Sequence, residues 1–118
     1  MKLPRANLVV VERSKIVDYL LNADHSQNKG KAAYYKSRGY SCKSWRCLAT
    51  EIQLLAQTKH VTKSMETSHG MKYIVDGHID SPSGKPMMVR TVWILPFKQN
   101  VPQFVTAVPV PLLMESVR

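Results

Sequence analysis

The segment from His25 to Lys31 combines side chains that can carry phosphate chemistry, and it reads HSQNKGK. It falls between two predicted helices, where backbone amides and the two lysines can converge on a phosphate group. An imidazole exchanges protons near neutral pH, so His25 is a candidate general acid or base. The alternative is that His25 is a loop histidine that caps a helix.

A second candidate lies in the segment VRTVWIL, which is apolar enough to be a central strand. An arginine there is costly unless it meets an anion, so Arg90 is either a phosphate ligand or an ion-pair partner of Asp76 or Asp80. Thr91 and Trp93 share the opposite strand face, and packing is favoured over base stacking for Trp93. The sequence leaves open which of the two faces is exposed.

The remaining polar residues indicate chemistry without a metal ion. Thr106 lies in the predicted last strand. It either only suits the environment of a strand or takes part in a functional site. His60, His69 and His78 lack the spacing of metal ligands on one element. The eight acidic residues form no cluster typical of a two-metal nuclease. We therefore expect neither a metal nor another cofactor, and any nuclease activity has to use His, Lys and Arg side chains.

The net charge of +9 at pH 7 is unevenly distributed along the chain. The segment from His25 to Thr50 has no acidic residue and six basic ones: Lys29, Lys31, Lys36, Arg38, Lys43 and Arg46. Such a patch attracts polyanions, and no basic amphipathic helix is long enough to favour a membrane. RNA, DNA and an acidic protein remain as partners, beside a merely solvated surface. The residues expected to contact RNA are Lys29, Lys36, Arg38 and Trp93.

The composition is that of one globular domain. A chain of 118 residues with 44% hydrophobic side chains can build a single core. No apolar run approaches the roughly 18 residues needed to cross a bilayer, and the apolar run near the N-terminus is too short for a signal peptide. We therefore expect a cytoplasmic protein in which Cys42 and Cys47 are reduced thiols.

The order of predicted elements indicates an α+β fold. Apolar periodicity predicts helices over residues 14–21, capped by Ser14, over 27 or 31 to 38, and from Ser41 onward. Alternation then predicts strands over 61–66, 71–78, 87–95 and 103–108. N-terminal helices packed on one face of a four-stranded antiparallel meander follow from this order. Residues 1–110 form the predicted domain, and 111–118 form a C-terminal tail.

Several short motifs recur in an order that resembles an uncharacterised bacterial toxin-like domain family. They are LLNxxH ending at His25, Lys31, Gly39-Tyr40, YxVDG starting at Tyr73, RTVWI starting at Arg90, and VTAxP starting at Val105. That family occurs as short standalone proteins and as the C-terminal tip of polymorphic toxins. The resemblance covers nearly the whole chain, from about Leu3 to Pro109.

The layout and the VTAxP ending also resemble the barnase–EndoU–colicin–RelE ribonuclease superfamily. Its members cleave RNA without a metal, often tRNA or ribosome-bound mRNA, and a cognate antitoxin or immunity protein silences each one. The resemblance implies that the catalytic residues are His25, Lys31, Arg90, Thr91 and Thr106. Val108 stands where many relatives have an aromatic residue, which implies a different contact with the substrate.

The predicted function is that of a bacterial toxin that cleaves RNA by transphosphorylation. Its expected partners are RNA and an antitoxin or immunity protein that is acidic because it has to cover a basic surface. Two alternatives remain open. One is a nucleic-acid-binding module without catalysis, and the other is an interaction protein such as the antitoxin or immunity half of a pair.

Overall fold

Four antiparallel strands form one sheet in a computed structural model that describes residues 1–115. The strands follow the chain in spatial order and are β1 (Lys63–Thr67), β2 (Gly70–Ile79), β3 (Met87–Pro96) and β4 (Gln103–Pro109). The predicted antiparallel meander is therefore confirmed. Turn-forming residues separate the strands. Burial alternates along most of β3 and β4, which places one face of the sheet against the core, whereas β2 has three successive buried residues, 73–75.

Short helical segments precede the sheet and cover one of its faces. They are a 3-10 turn (Ala6–Leu8), α1 (Arg13–Lys15), a π-helical segment (Ile16–Leu20), α2 (Lys31–Ser37), a second 3-10 turn (Cys42–Ser44) and α3 (Trp45–Thr58). The α+β fold expected from the sequence is thus confirmed. The predicted cap at Ser14 is wrong, because Glu12 is the N-cap residue of α1 and no side chain caps it.

The longest helix, α3, packs on β2 through the stripe that its periodicity predicts. Leu48, Ile52 and Leu55 are buried in the core. Gly77 on β2 permits this close approach, because a Cβ atom built there would lie 3.2 Å from Cδ1 of Leu55. Ser41 precedes the 3-10 turn that leads into α3, and its amide donates a 3.0 Å hydrogen bond to Oγ of Ser44.

The two faces of β3 separate the core from the exposed side of the sheet. Val89, Thr91 and Trp93 are fully buried beneath the helices, whereas Arg90 and Val92 are only half-buried on the other face. The structure thereby answers the question that sequence alternation leaves open. The face that carries Arg90 is the one the N-terminal helices leave uncovered.

The C-terminal segment begins with a helix, α4 (Val110–Glu115), which contacts β3 and β4. Most of α4 lies within the predicted tail of residues 111–118, and residues 116–118 of that tail lie outside the described part of the chain. Among the described residues, no helix has the length and apolar character needed to span a membrane.

Candidate functional site

A hydrogen-bonded chain of three side chains joins α2, the π-helical segment and β4. Nζ of Lys31 donates to Oη of Tyr19 over 2.8 Å, and Oη of Tyr19 lies 2.9 Å from Oγ1 of Thr106. Lys31 is only 8% exposed, and Nζ also donates to the carbonyl oxygen of Gln27 over 3.1 Å. The structure therefore brings Lys31 and Thr106 together, with Tyr19 between them.

His25 lies beside the same tyrosine. The two rings meet edge to face with their centroids 5.0 Å apart. Nδ1 of His25 accepts a 3.0 Å hydrogen bond from the backbone amide of Gln27. A neutral imidazole that accepts at Nδ1 carries its proton on Nε2. Among the contacts of the described residues, none occupies Nε2, so this nitrogen is available to a ligand.

Asn28 holds the loop between the π-helical segment and α2. It is 1% exposed, and its side-chain amide donates to the carbonyl oxygens of Tyr19 (2.6 Å) and Leu20 (3.1 Å). Its side-chain oxygen accepts a 2.8 Å hydrogen bond from the amide of Ala32. One buried side chain thus ties the end of one helical segment to the start of the next, which fixes Tyr19 relative to Lys31.

The edge strand β4 brings Thr106 to the site. The register between β3 and β4 shifts at Val92, which pairs with Thr106, while Trp93 pairs with Phe104. Such a bulge re-aims the side chains beside it. The hydroxyl of the fully buried Tyr35 on α2 donates a 2.6 Å hydrogen bond to the carbonyl oxygen of Ala107, which fastens this strand to the helices.

These groups border an open pocket of about 500 Å³. It is lined by Ser14, Lys15, Asp18, Tyr19, His25, Gln27, Val105 and Thr106. Lys15 supplies a cation, and its Nζ lies 6.0 Å from the centroid of the Tyr19 ring. The buried Lys31 does not line this pocket, but it donates to the hydroxyl of Tyr19, which does.

Arg90 and Thr91 make separate contacts within the sheet. The guanidinium of Arg90 forms a two-pronged ion pair with Asp76, at 2.9 and 3.0 Å, and this hydrogen bonding raises the pKa of Arg90. The pair is the structural alternative that the sequence left open. Thr91 is fully buried, where its hydroxyl donates to the carbonyl oxygen of Val75 over 2.7 Å and accepts from Nε1 of Trp93 over 2.9 Å.

The residues expected to contact RNA divide into surface and core positions. Lys29 and Lys36 are exposed, and Arg38 is half-buried. Trp93 is fully buried and packs edge to face on Phe104, with centroids 5.2 Å apart. Its ring therefore offers no surface to a base in this structure, and packing is its observed role.

Sequence reasoning missed Tyr19, Asn28 and Lys15. Each sits in a helix or loop where the sequence shows only an ordinary polar or amphipathic residue, and no local pattern marks its partner across the fold. The one available signal was the choice of asparagine in the loop, since its short side chain readily bonds nearby backbone groups. Among residues 1–115, no group of His, Cys, Asp and Glu is arranged to hold a metal ion.

Comparisons with known proteins identify a family and a fold. No curated protein sequence matches the chain significantly. A solved chain from a contact-dependent growth inhibition toxin–immunity protein complex of Klebsiella pneumoniae 342 is similar to it, with 18% identity and a TM-score of 0.67. The match covers 88% of this chain and 95% of that one, and it concerns the fold. A family model described as a domain of unknown function, DUF6883, matches residues 2–111. The chain therefore belongs to the DUF6883 family.

Proposed function

We propose that this protein is a toxin that cleaves RNA without a metal ion. The observation that carries the proposal is the clustering of His25, Tyr19 and Thr106 around one open pocket, with Lys31 behind them. The chain also carries a net charge of +9, which favours a polyanionic substrate. The likeness in fold to a chain of a growth-inhibition toxin–immunity complex is consistent with a role in such a pair.

The proposed reaction is transphosphorylation within the RNA strand. The 2′-oxygen of a ribose forms a bond to the adjacent phosphorus, and the bond between phosphorus and the 5′-oxygen breaks. The proton lost by the 2′-hydroxyl ends on the leaving 5′-oxygen. The products are a 2′,3′-cyclic phosphate and a 5′-hydroxyl, and no water, metal or redox partner is consumed.

His25 would move the proton in this scheme. Nε2 is the ring nitrogen without a protein partner among the described contacts, so it is the atom that faces the chemistry. To take the 2′-hydroxyl proton at Nε2, the ring needs its own proton on Nδ1. It therefore gives up its contact with the Gln27 amide at that step, and Nε2 then returns the proton to the 5′-oxygen.

The hydroxyl groups and lysines would stabilise the charge that develops on the phosphate. Lys31 donates to Oη of Tyr19, and the Tyr19 and Thr106 hydroxyls share one hydrogen bond, so one of their two hydroxyl protons is left to donate to a phosphate oxygen. A donor placed in this way stabilises a transition state by about 3 kcal/mol. Lys15 would add a cation at the pocket wall, partly offset by Asp18.

In this arrangement Arg90 and Thr91 would stabilise the sheet and would not bind the phosphate. Arg90 would have to leave Asp76, and Thr91 would have to leave the core, before either could touch RNA. The catalytic set proposed from the geometry is therefore His25, Tyr19 and Thr106, with Lys31 as a positioning residue.

An acidic antitoxin or immunity protein would be the natural partner of such a toxin. It would have to cover a surface on which basic residues outnumber acidic ones, 17 to 8 over the whole chain. Complementary charge speeds the encounter and excludes wrong partners. The opposite assignment, in which this chain is the inhibitor, fits the basic charge less well.

Controlled expression of wild type, His25→Ala and His69→Ala tests the proposal. His69 is an exposed histidine on the turn between β1 and β2, so His69→Ala is a matched control. Wild type and His69→Ala should arrest growth and yield RNA fragments with 5′-hydroxyl ends, and His25→Ala should do neither. Absence of RNA cleavage and growth arrest in both wild type and His25→Ala would overturn the enzymatic proposal, and equal cleavage by the two would reject the role of His25. Salt-sensitive RNA binding that persists in His25→Ala without cleavage would favour a non-catalytic binding module.

A further inference from the structure

A line of three side chains follows α2 and begins at Lys31, which contacts the pocket residue Tyr19. Lys31 and Tyr34 on α2, and Arg38 at its C-cap, follow one another at steps of three and four residues, which places them on one side of the helix. Lys31 contacts Tyr19 at one end of this line. A helix rises about 1.5 Å per residue, so Tyr34 lies only one turn beyond the lysine that supports the pocket.

Tyr34 and Arg38 form a cation–π pair at the outer end of the line. The guanidinium carbon of Arg38 lies 5.4 Å from the centroid of the Tyr34 ring, and Nη2 donates a 3.2 Å hydrogen bond to Oη of Tyr34. Both side chains are half-buried, so part of each remains open to solvent. The hydrogen bond holds two flat groups in a fixed relation. The two side chains therefore lose less conformational entropy when a ligand binds.

Among the side chains that the structure describes, no carboxylate forms an ion pair with this guanidinium. Within the part of the chain that the structure describes, the one ion pair is Arg90 with Asp76, on the sheet. Lys36 on α2 is exposed and has no ion-pair partner among the described residues. A guanidinium in contact with an aromatic ring, with no carboxylate to neutralise it, suits an anionic ligand that has a planar group.

We propose that Tyr34 and Arg38 form a nucleotide subsite for single-stranded RNA, next to the pocket that would hold the scissile phosphate. This inference rests on the proposed function, because it assigns the substrate class of the same site. One unpaired base stacks on the exposed part of the Tyr34–Arg38 pair, and the Arg38 charge contacts a neighbouring phosphate. Bases inside a duplex are already stacked and paired, so they cannot reach the pair.

Binding of an RNA that cannot be cleaved tests this subsite separately from catalysis. The probe is a fluorescently labelled, unstructured 12-nucleotide RNA with 2′-O-methyl groups, and its affinity is measured by anisotropy over a range of salt concentrations. Tyr34→Leu keeps an apolar side chain but removes the ring, and it should weaken binding about 5- to 140-fold. Tyr34→Phe keeps the ring and should remain within about 3-fold of wild type.

The salt dependence distinguishes stacking from charge. Tyr34→Leu should leave the slope of log affinity against log salt unchanged, because stacking releases no counterions. The control Lys36→Gln should reduce the slope by at most about 0.7, the value for one phosphate contact on a single strand. A duplex of the same sequence should bind equally well to wild type and Tyr34→Leu.

Two results would overturn the subsite. One is equal binding of the single strand by wild type and folded Tyr34→Leu, with folding checked by circular dichroism. The other is an equal loss of single-strand and duplex binding in Arg38→Lys, which keeps the charge and removes the planar group. Ring-dependent binding in a wild-type protein that cleaves no RNA would support the subsite and reject the proposed catalysis. RNA cleavage by wild type, together with binding that does not depend on the Tyr34 ring, would support the proposed catalysis and reject the subsite.

Discussion

Nζ of Lys31 donates a 2.8 Å hydrogen bond to the phenolic oxygen of Tyr19, although the two residues belong to different helical segments. The same phenolic oxygen lies 2.9 Å from Oγ1 of Thr106, which is 87 residues away in the chain. Tyr19 is therefore the residue through which a buried lysine and a strand-edge threonine meet.

Removal of the Tyr19 hydroxyl should affect stability and activity together. Tyr19→Phe leaves the buried Lys31 amine with only the Gln27 carbonyl among its observed acceptors, so the free energy of unfolding should fall by about 1–3 kcal/mol. RNA cleavage should fall about 100-fold if the hydroxyl donates to the phosphate. Urea denaturation and RNA-end sequencing measure the two effects.

A double-mutant cycle with Lys31→Met serves as the control for Tyr19→Phe. The two side chains touch, so their effects on the free energy of unfolding should depart from additivity by about 0.5–3 kcal/mol. Additive effects within about 0.3 kcal/mol would show that the hydrogen bond contributes nothing.

Asn28→Ala should be one of the most damaging loop substitutions. The change removes three hydrogen bonds from a buried side chain. The Leu20 carbonyl and the Ala32 amide lose their Asn28 partner, whereas the Tyr19 carbonyl keeps its bond from the Asn22 amide. At about 1 kcal/mol for each bond, the free energy of unfolding should fall by about 3 kcal/mol. Asn22→Ala is the matched control because Asn22 is more exposed and bonds only to nearby backbone. Equal losses in the two variants in urea would contradict the role assigned to Asn28.

Arg90→Ala distinguishes a structural arginine from a phosphate ligand. The side chain of Arg90 is 40% exposed in its pair with Asp76, so the pair should stabilise the protein by no more than about 1 kcal/mol. Cleavage by Arg90→Ala should remain within about 3-fold of wild type, compared with a loss of about 100-fold for a group that stabilises the transition state. Asp76→Ala provides the comparison, because it should give a similar stability and leave activity intact. A loss of cleavage in Arg90→Ala as large as in His25→Ala would place Arg90 in the site.

Tyr35 should make the protein less stable in alkaline solution. Burial raises the pKa of its phenol well above the usual value near 10, and the neighbouring Tyr40 and Tyr19 add to the shift. Above pH 10 the unfolded chain loses this proton while the folded protein keeps it. The stability associated with the neutral phenol is therefore complete below about pH 10 and declines as pH rises toward the folded pKa, by up to about 1.4 kcal/mol per pH unit.

Chemical denaturation of wild type and Tyr35→Phe between pH 7 and pH 11 measures this effect. At pH 7 the variant should be less stable by about 1–2 kcal/mol, because the carbonyl oxygen of Ala107 loses its hydrogen bond. Above pH 10 the difference between the two proteins should shrink. A difference that stays constant across the range would mean that Tyr35 ionises equally in the folded and unfolded states.

Local patterns in the sequence predicted the elements of this fold well. The stripe that includes Leu48, Ile52 and Leu55 predicted α3, and alternation in residues 87–95 predicted β3. Both patterns follow from contacts between residues a few positions apart and from which face is buried. The π-helical segment Ile16–Leu20 was not predicted beyond its helical character, because apolar spacing does not distinguish one helical hydrogen-bond pattern from another over five residues.

The sequence by itself determined the fold class, the basic charge and the candidate segment around His25. Tertiary structure alone decided that Tyr19 joins Lys31 to Thr106, and that Arg90 lies with Asp76 on the sheet face that the N-terminal helices leave uncovered. The physical reason is the distance along the chain between the residues in contact. Periodicity records which face of an element is buried, whereas a site depends on how an edge strand and two helical segments pack, which is decided by contacts between residues far apart in the chain.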